Sequence, residues 1–364
     1  MTIKEICGLF NVGGKYIGCI ELSTGNINNT YQVKFIRDGE EKNYIVQKIN
    51  KNVFKNPEKV MENIVRVTHH VREHVKANGL STKKFVLRAF LSKQTGKPFI
   101  IDDAGEYWRC YRFISNSCTY DTCDDLNIIE RVGSAFGRFQ NFLEGFDAQS
   151  LYITIPDFHN TKKRYVALRK AVEKDKFNRV KSVREELDKL FNFESQAVKL
   201  QEYLDAGKLP LRVTHNDTKC NNVSFDKTTG QALAVLDLDT VMPGAIAHDY
   251  GDAIRFIANT TIEDYPDVTE VKLDMAKFEA FTKGFVNEVK DELTELEKDT
   301  LDLGAFAMTV ELAVRFLTDY ISGDKYFKTK HPGHNLDRAH NQIALAEDML
   351  IKRELMRNVI KKYV

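Results

Sequence analysis

Between Lys15 and about Pro98 apolar and polar residues alternate largely with the period of two that a half-buried strand shows. YIGCIEL, TYQVKFI and KNYIVQKI read as three strands, joined by the turns TGNINN and DGEE, whose Gly, Asn and Asp suit tight reversals. That order predicts an antiparallel meander. Asn56-Pro57-Glu58 then opens a helix that carries Val60, Ile64, Val67, Val71 and Val75 at three- and four-residue spacing and closes near Asn78-Gly79. FVLRAFLS, PFIIDDAG and EYWRCYRFI resume the strand pattern, with a turn at Gln94 to Lys97 between the first two. The first third is therefore expected to be a small antiparallel β-sheet with one packed helix.

Beyond about Ser115 the period becomes helical, over Leu126 to Leu143, Lys162 to Leu204, Met275 to Val289, Leu293 to Ile321 and Arg338 to Ile360. One β island, Leu211 to Asp239, interrupts the helices and holds the densest polar chemistry of the chain. The expected class is α+β in two lobes, residues 1–114 and 115–364, joined near Arg112 to Asn116. At 364 residues the chain exceeds the usual size of one compact core, in keeping with two lobes.

Composition narrows the function. Lys and Arg total 53 against 52 Asp and Glu, so no overall basic field draws the chain to nucleic acid or an anionic membrane. Residues 162–184 carry ten Lys or Arg against two acidic residues, but stacking aromatics do not interleave among them in the manner single-strand binders need, and the segment reads as a solvated helix face. The six cysteines form no CxxC pair, the N-terminus has no apolar h-region, and nowhere do 18 apolar residues run together. Free thiols in a reducing, cytoplasmic setting are expected, with no membrane association and no obligate protein partner.

The β island carries Thr214-His215-Asn216-Asp217-Thr218-Lys219-Cys220-Asn221-Asn222 and, after a turn at Gly230, Ala232-Leu233-Ala234-Val235-Leu236-Asp237-Leu238-Asp239. Phosphoryl transfer needs an oriented hydroxyl and Mg²⁺ held by oxygen ligands against a triphosphate. Asp217 and Asn222 have the spacing of a kinase catalytic loop, an Asp followed five residues on by an Asn. The strand leading to Asp237 brings a second carboxylate, and alternation along it would send Asp237 and Asp239 to one side. An isolated HxDxxxxN could be turn capping. Its pairing with an apolar strand ending in DxD is what carries the signal. No GxxxxGK[ST] occurs, which disfavours a P-loop NTPase.

HNDTKCNN, AVLDLDTVMPG and HDYGDAIR resemble the aminoglycoside phosphotransferase and choline kinase superfamily, whose fold is similar to that of protein kinases. TGNINNTYQV, IPDFHNTKKR, VRFLTDYISGDKYFK and HNLDRAHNQI look more narrowly like N-acetylhexosamine 1-kinases. The resemblance implies ATP as co-substrate, Mg²⁺ as cofactor and transfer to the anomeric hydroxyl of an N-acetylhexosamine; another small alcohol, such as an aminoglycoside, choline or another sugar, is the alternative acceptor. It makes Asp217 the catalytic carboxylate, which also contacts the sugar, with Asn222 and Asp237 as metal ligands and Arg315 and Tyr326 as sugar contacts. The turn Gly25 to Thr30 would cover the phosphates, with Asn28, Asn29, Thr30 and Gln47 as nucleotide contacts. In NYIVQKIN either Gln47 or Lys48 could point inward where the family carries a strand Lys, and parity with the family pattern places Gln47 there, with Glu62 as a candidate helix partner for that position; Asp239 would either assist the metal or hold the loop. His215, Asp249 and Asp252 read as supports of the catalytic loop.

Two rival classes are addressed by particular residues. His70-Val71-Arg72-Glu73-His74 matches the HxxEH zinc motif but has no identified third ligand and reads as a solvated helix face. A catalytically dead scaffold would be expected to lack a base or metal residue, yet Asp217, Asn222 and Asp237 all stand in place.

Overall fold

The computed structural model describes residues 1–22 and 27–364, so Gly25 and Asn26 of the expected phosphate turn lie outside the described residues. The chain divides into two compact units, each discontinuous in sequence. The first comprises Met1–Thr119, Gly145–Pro156 and Val223–Met242, and the second Tyr120–Glu144, Asp157–Asn222 and Pro243–Val364.

The first unit is built on a five-stranded sheet of β1 (Lys15–Leu22), β2 (Asn29–Arg37), β3 (Glu40–Lys48), β4 (Ile100–Ile101) and β5 (Tyr107–Arg112), in spatial order 1-2-3-5-4. Neighbours pair antiparallel, so the expected meander forms. The pleat sorts its residues: Val33, Phe35, Tyr44, Val46, Trp108 and Cys110 join one core with Ile6, Cys7 and Phe10. Ile6 and Cys7 come from α1 (Ile3–Leu9), with Phe10 as its C-cap; the strand-and-helix pattern had not suggested this helix, and its local sign is the reciprocal cap between Thr2 and Glu5. The opposite face carries Gln47 and Arg109, directly paired across β3 and β5, and meets Met61 of α2 (Pro57–Ala77).

FVLRAFLS differs from expectation. Its start is the short helix α3 (Thr82–Phe85), and the remainder runs beside β5 by only a few backbone bonds, Phe90 N–H to Cys110 O at 2.8 Å and Arg112 N–H to Arg88 O at 2.9 Å. A second, three-stranded sheet joins β6 (Ser117–Cys118), β8 (Val223–Asp226) and β9 (Ala232–Val235).

The second unit is mostly helical. Strand β7 (Arg212–Thr214) leads into the HNDTKCNN loop, and α4 (Leu126–Asn141) crosses α9 (Met275–Val289). Gly284 permits that crossing, since a Cβ there would stand 2.0 Å from Glu130 O. The single helical stretch expected over Lys162 to Leu204 is three helices, α5 (Thr161–Lys174), α6 (Arg184–Ala197) and α7 (Lys199–Asp205), because Asp175 and Asn178 take left-handed backbone between the first two. Helix α8 (Ile246–Ile257) packs on α11 (Leu301–Ile321), which follows the short α10 (Glu295–Asp299); α12 (His334–Ile351) and α13 (Arg353–Lys361) complete the chain. No helix among the described residues is long and apolar enough to cross a membrane.

Candidate active site

In the second unit the loop after β7 is held from below by two carboxylates of α8. Asp249 accepts the backbone N–H groups of His215 and Asn216, both at 2.8 Å, and the Gln140 amide at 3.0 Å. Asp252 accepts Thr218 N–H at 3.0 Å and pairs with Arg255 at 2.9 Å. Burial pushes the Asp249 carboxyl up, whereas for Asp252 the same burial is outweighed by Arg255 and then Lys219, which hold it low. Helix α8 in turn packs closely on α11 at Gly251, where a Cβ would approach the Gly304 carbonyl to 2.3 Å. The expectation that Asp249 and Asp252 buttress the loop therefore has a definite geometry.

The held loop presents Asp217. Asn222 Nδ2 donates to the Asp217 carbonyl at 2.8 Å and to its Oδ2 at 3.1 Å, while Lys219 Nζ stands 2.9 Å from Oδ1. Asn222 thus has its amide nitrogen spent on Asp217, and its side-chain oxygen is the atom left to face a cation. Lys219 was missed by the motif reading, although its place two residues after Asp217 was visible. Beneath the loop, His159 Nδ1 lies 3.0 Å from Glu311 Oε1, and Thr161 donates to Glu311 Oε2 at 2.9 Å.

Arg315 and Tyr326 come together in this unit. The Arg315 guanidinium lies over the rings of Phe158, Tyr326 and Phe327 at 5.5, 5.9 and 5.5 Å. Asp319, one helical turn on, accepts the N–H groups of Lys325, Tyr326 and Phe327, each at 2.9 Å, and so folds Tyr326 back towards Arg315. Arg164 donates to Phe158 O at 2.7 Å, and its Nε is buried with no partner among the described residues.

The first unit holds the other predicted residues. Gln47 Nε2 donates to Thr30 Oγ1 at 2.9 Å, and Asn28 Nδ2 donates to Asp239 Oδ2 at 2.7 Å while its Oδ1 accepts Asn50 N–H at 3.0 Å. Asn29, exposed at the start of β2, pairs in register with Lys48 and stands outside this network. Glu62 is exposed on α2, and the side chain that α2 brings to the sheet cation is Met61.

The alternation expected for Asp237 and Asp239 does not occur. Strand β9 ends at Val235, Asp237 takes left-handed backbone at φ 53°, and Leu238 to Thr240 form a 3₁₀ turn. The result separates the two carboxylates chemically: Asp237 is exposed, whereas Asp239 is buried against Arg109. Arg109 was the second functional candidate missed; its sign was an Arg set between Trp108 and Cys110 in the middle of the strand YWRCYR. Asn222 and Asp237 each carry a hard oxygen donor of the kind Mg²⁺ takes. His70 and His74 stack at 4.6 Å on α2, where Glu73 pairs with Lys76 at 2.8 Å. Among the described residues no three His, Cys, Asp or Glu side chains gather as a metal-holding group.

An antiparallel sheet with its packed helix, followed by a mostly helical unit carrying an Asp and Asn catalytic-type loop, defines a protein-kinase-like phosphotransferase. The chain belongs to the phosphotransferase enzyme family, whose model matches residues 18–272. Its structure is similar to the choline kinase of Cryptosporidium parvum Iowa II, at 12% identity and TM-score 0.57, over 96% of this chain and 93% of that one. A choline/ethanolamine kinase family protein from Mesorhizobium loti matches at 14% identity and TM-score 0.56, over 98% and 97%. An ethanolamine kinase of Plasmodium vivax matches at 11% and 0.53, over 92% and 84%. At such identities the likeness concerns the fold, and with the family membership it makes the chain a small-molecule phosphotransferase.

Proposed function

We propose that the protein is an ATP-dependent, Mg²⁺-requiring kinase of the anomeric hydroxyl of N-acetylhexosamines, giving the 1-phosphate, in the cytoplasm. Residues 1–114 would serve as the nucleotide lobe, with Asn28, Asn29, Thr30 and Gln47 as contacts, and residues 115–364 as the catalytic and substrate lobe. Asp217 orients the sugar hydroxyl and accepts its proton; Lys219 and Asn222 fix the carboxylate that does so. Asn222 and Asp237 would hold Mg²⁺, which when bound neutralises charge on the phosphates. Arg315 and Tyr326 bind the sugar.

The observation that carries the acceptor class is the Arg315 guanidinium lying over Phe158, Tyr326 and Phe327. A site for choline or an aminoglycoside would leave aromatic faces or carboxylates open to a cation. Here the faces are already covered by one, and Arg164 stands beside Phe158 as well. A neutral ligand rich in acceptor oxygens, such as an acetamido sugar, suits that charge. The test is ATP consumption across N-acetylglucosamine, N-acetylgalactosamine, aminoglycosides and choline, with ³¹P NMR of the product. Turnover of an N-acetylhexosamine with phosphate at C1 is expected; turnover of choline or an aminoglycoside alone would overturn the reading.

A further inference from the structure

Arg109 is 1% exposed, a rare setting for a guanidinium unless it is paired. Its Nη1 and Nη2 meet the two oxygens of Asp239, the second at 2.9 Å, and its Nε donates to Gln47 Oε1 at 2.9 Å. Tyr111 lies under the guanidinium at 5.1 Å and Met61 Sδ is 3.9 Å from Nη1. Asp239, 4% exposed, also accepts Asn28 Nδ2 at 2.7 Å. A continuous chain of bonds therefore runs from Thr30, near the start of β2, through Gln47, Arg109 and Asp239 to Asn28, the residue just before β2.

We infer that Arg109, through its forked pairing with Asp239, positions the nucleotide turn, and that Asp239 serves this clamp rather than ligating metal. The reason lies in the pleat. Gln47 and Arg109 are directly opposite across β3 and β5 and so share a face, which lets a guanidinium from β5 occupy the space that the uncharged Gln47 leaves on β3. A guanidinium can hold a carboxylate with two parallel bonds and Gln47 with a third, which a Lys could not do. Closed off from solvent and held by Asp239 and Gln47, Arg109 acts through Asn28 and Thr30 and not by touching phosphate itself. The inference rests on reading that turn as the nucleotide contact.

Removing one partner of a buried pair endangers folding, while replacing both by apolar residues of similar size is commonly tolerated. Steady-state kinetics are therefore compared for Arg109→Lys, Asp239→Asn, Asn28→Ala and the double variant Arg109→Met/Asp239→Leu. The double variant and Asp239→Asn are expected to raise KM for ATP roughly tenfold, with KM for the acceptor and the Mg²⁺ concentration dependence unchanged. Arg109→Lys is expected to raise KM for ATP by a smaller factor, and it carries the test should the double variant not fold. Wild-type KM for ATP in these variants, or an Asp239→Asn enzyme whose chief change is a raised Mg²⁺ requirement, overturns the inference. Asn28→Ala separates the layers: if it raises KM for ATP while the pair variants do not, the clamp is wrong and the turn stands; if it too leaves KM unchanged, the reading of the turn fails with it.

Discussion

The Lys219 ammonium stands 2.9 Å from the Asp217 carboxylate, two residues away along the same loop. Asp217 is the first cause of the raised Lys219 pKa, against the opposing effect of burial, and Asp252 and Glu263 add to it, so the side chain is cationic throughout the neutral range. If Asp217 is the base proposed above, a fixed cation beside it can steady charge that moves during transfer without reorganising. Lys219→Met is expected to lower kcat roughly tenfold, with smaller effects on either KM. Steady-state kinetics decide this, and an unchanged kcat would remove Lys219 from the chemistry.

Asp217→Asn should cost kcat about 10²-fold or more while nucleotide binding persists, because a base acts at the chemical step. Calorimetric titration with a non-hydrolysable ATP analogue checks binding beside the rate. Near-normal turnover would end the assignment.

Asp237 and Asp239 lie two residues apart but in opposite surroundings, one exposed and one buried against Arg109. Asp237→Asn is accordingly expected to shift the Mg²⁺ dependence of the rate to higher concentration. An identical Mg²⁺ titration would make Asp237 a structural residue of its turn.

For Arg315→Ala, KM for the N-acetylhexosamine should rise roughly tenfold, in line with a lost charged hydrogen bond, with KM for ATP little changed. Equal losses for both substrates would indicate damage to the fold, which a thermal melt would register. No loss for the sugar would reopen the choice of acceptor.

His248 is buried beside the His159 ring at 5.3 Å, and burial first, then His159, lowers its pKa to about 3. The unfolded chain takes up that proton near pH 6.5, so the folded state binds fewer protons between about 6.5 and 3 and loses stability as pH falls through that window. Unfolding free energies from urea titrations between pH 7 and 5 should fall by up to about 1.4 kcal/mol per pH unit from this group, and His248→Gln should flatten the slope. Parallel slopes in the two proteins would show that His248 does not carry it.

Much of the fold was legible because it depends on local periodicity and turn chemistry. The meander β1 to β3, helix α2 and the helices of the second unit follow from repeats of two and of three to four, which each segment carries in itself. Asp217 and Asn222 were legible for the same reason, being five positions apart on one loop. FVLRAFLS was misread because an apolar run does not specify whether it forms a regular ladder. Arg109 and Asp239 are 130 residues apart, and His159 and Glu311 are 152 apart. No periodicity links such residues. What decided them was burial: a charge removed from water must find its counter-charge wherever the fold brings one, and only the tertiary structure chose which. The same holds for Asp237 and Asp239, which composition makes identical and one left-handed residue sends to opposite environments.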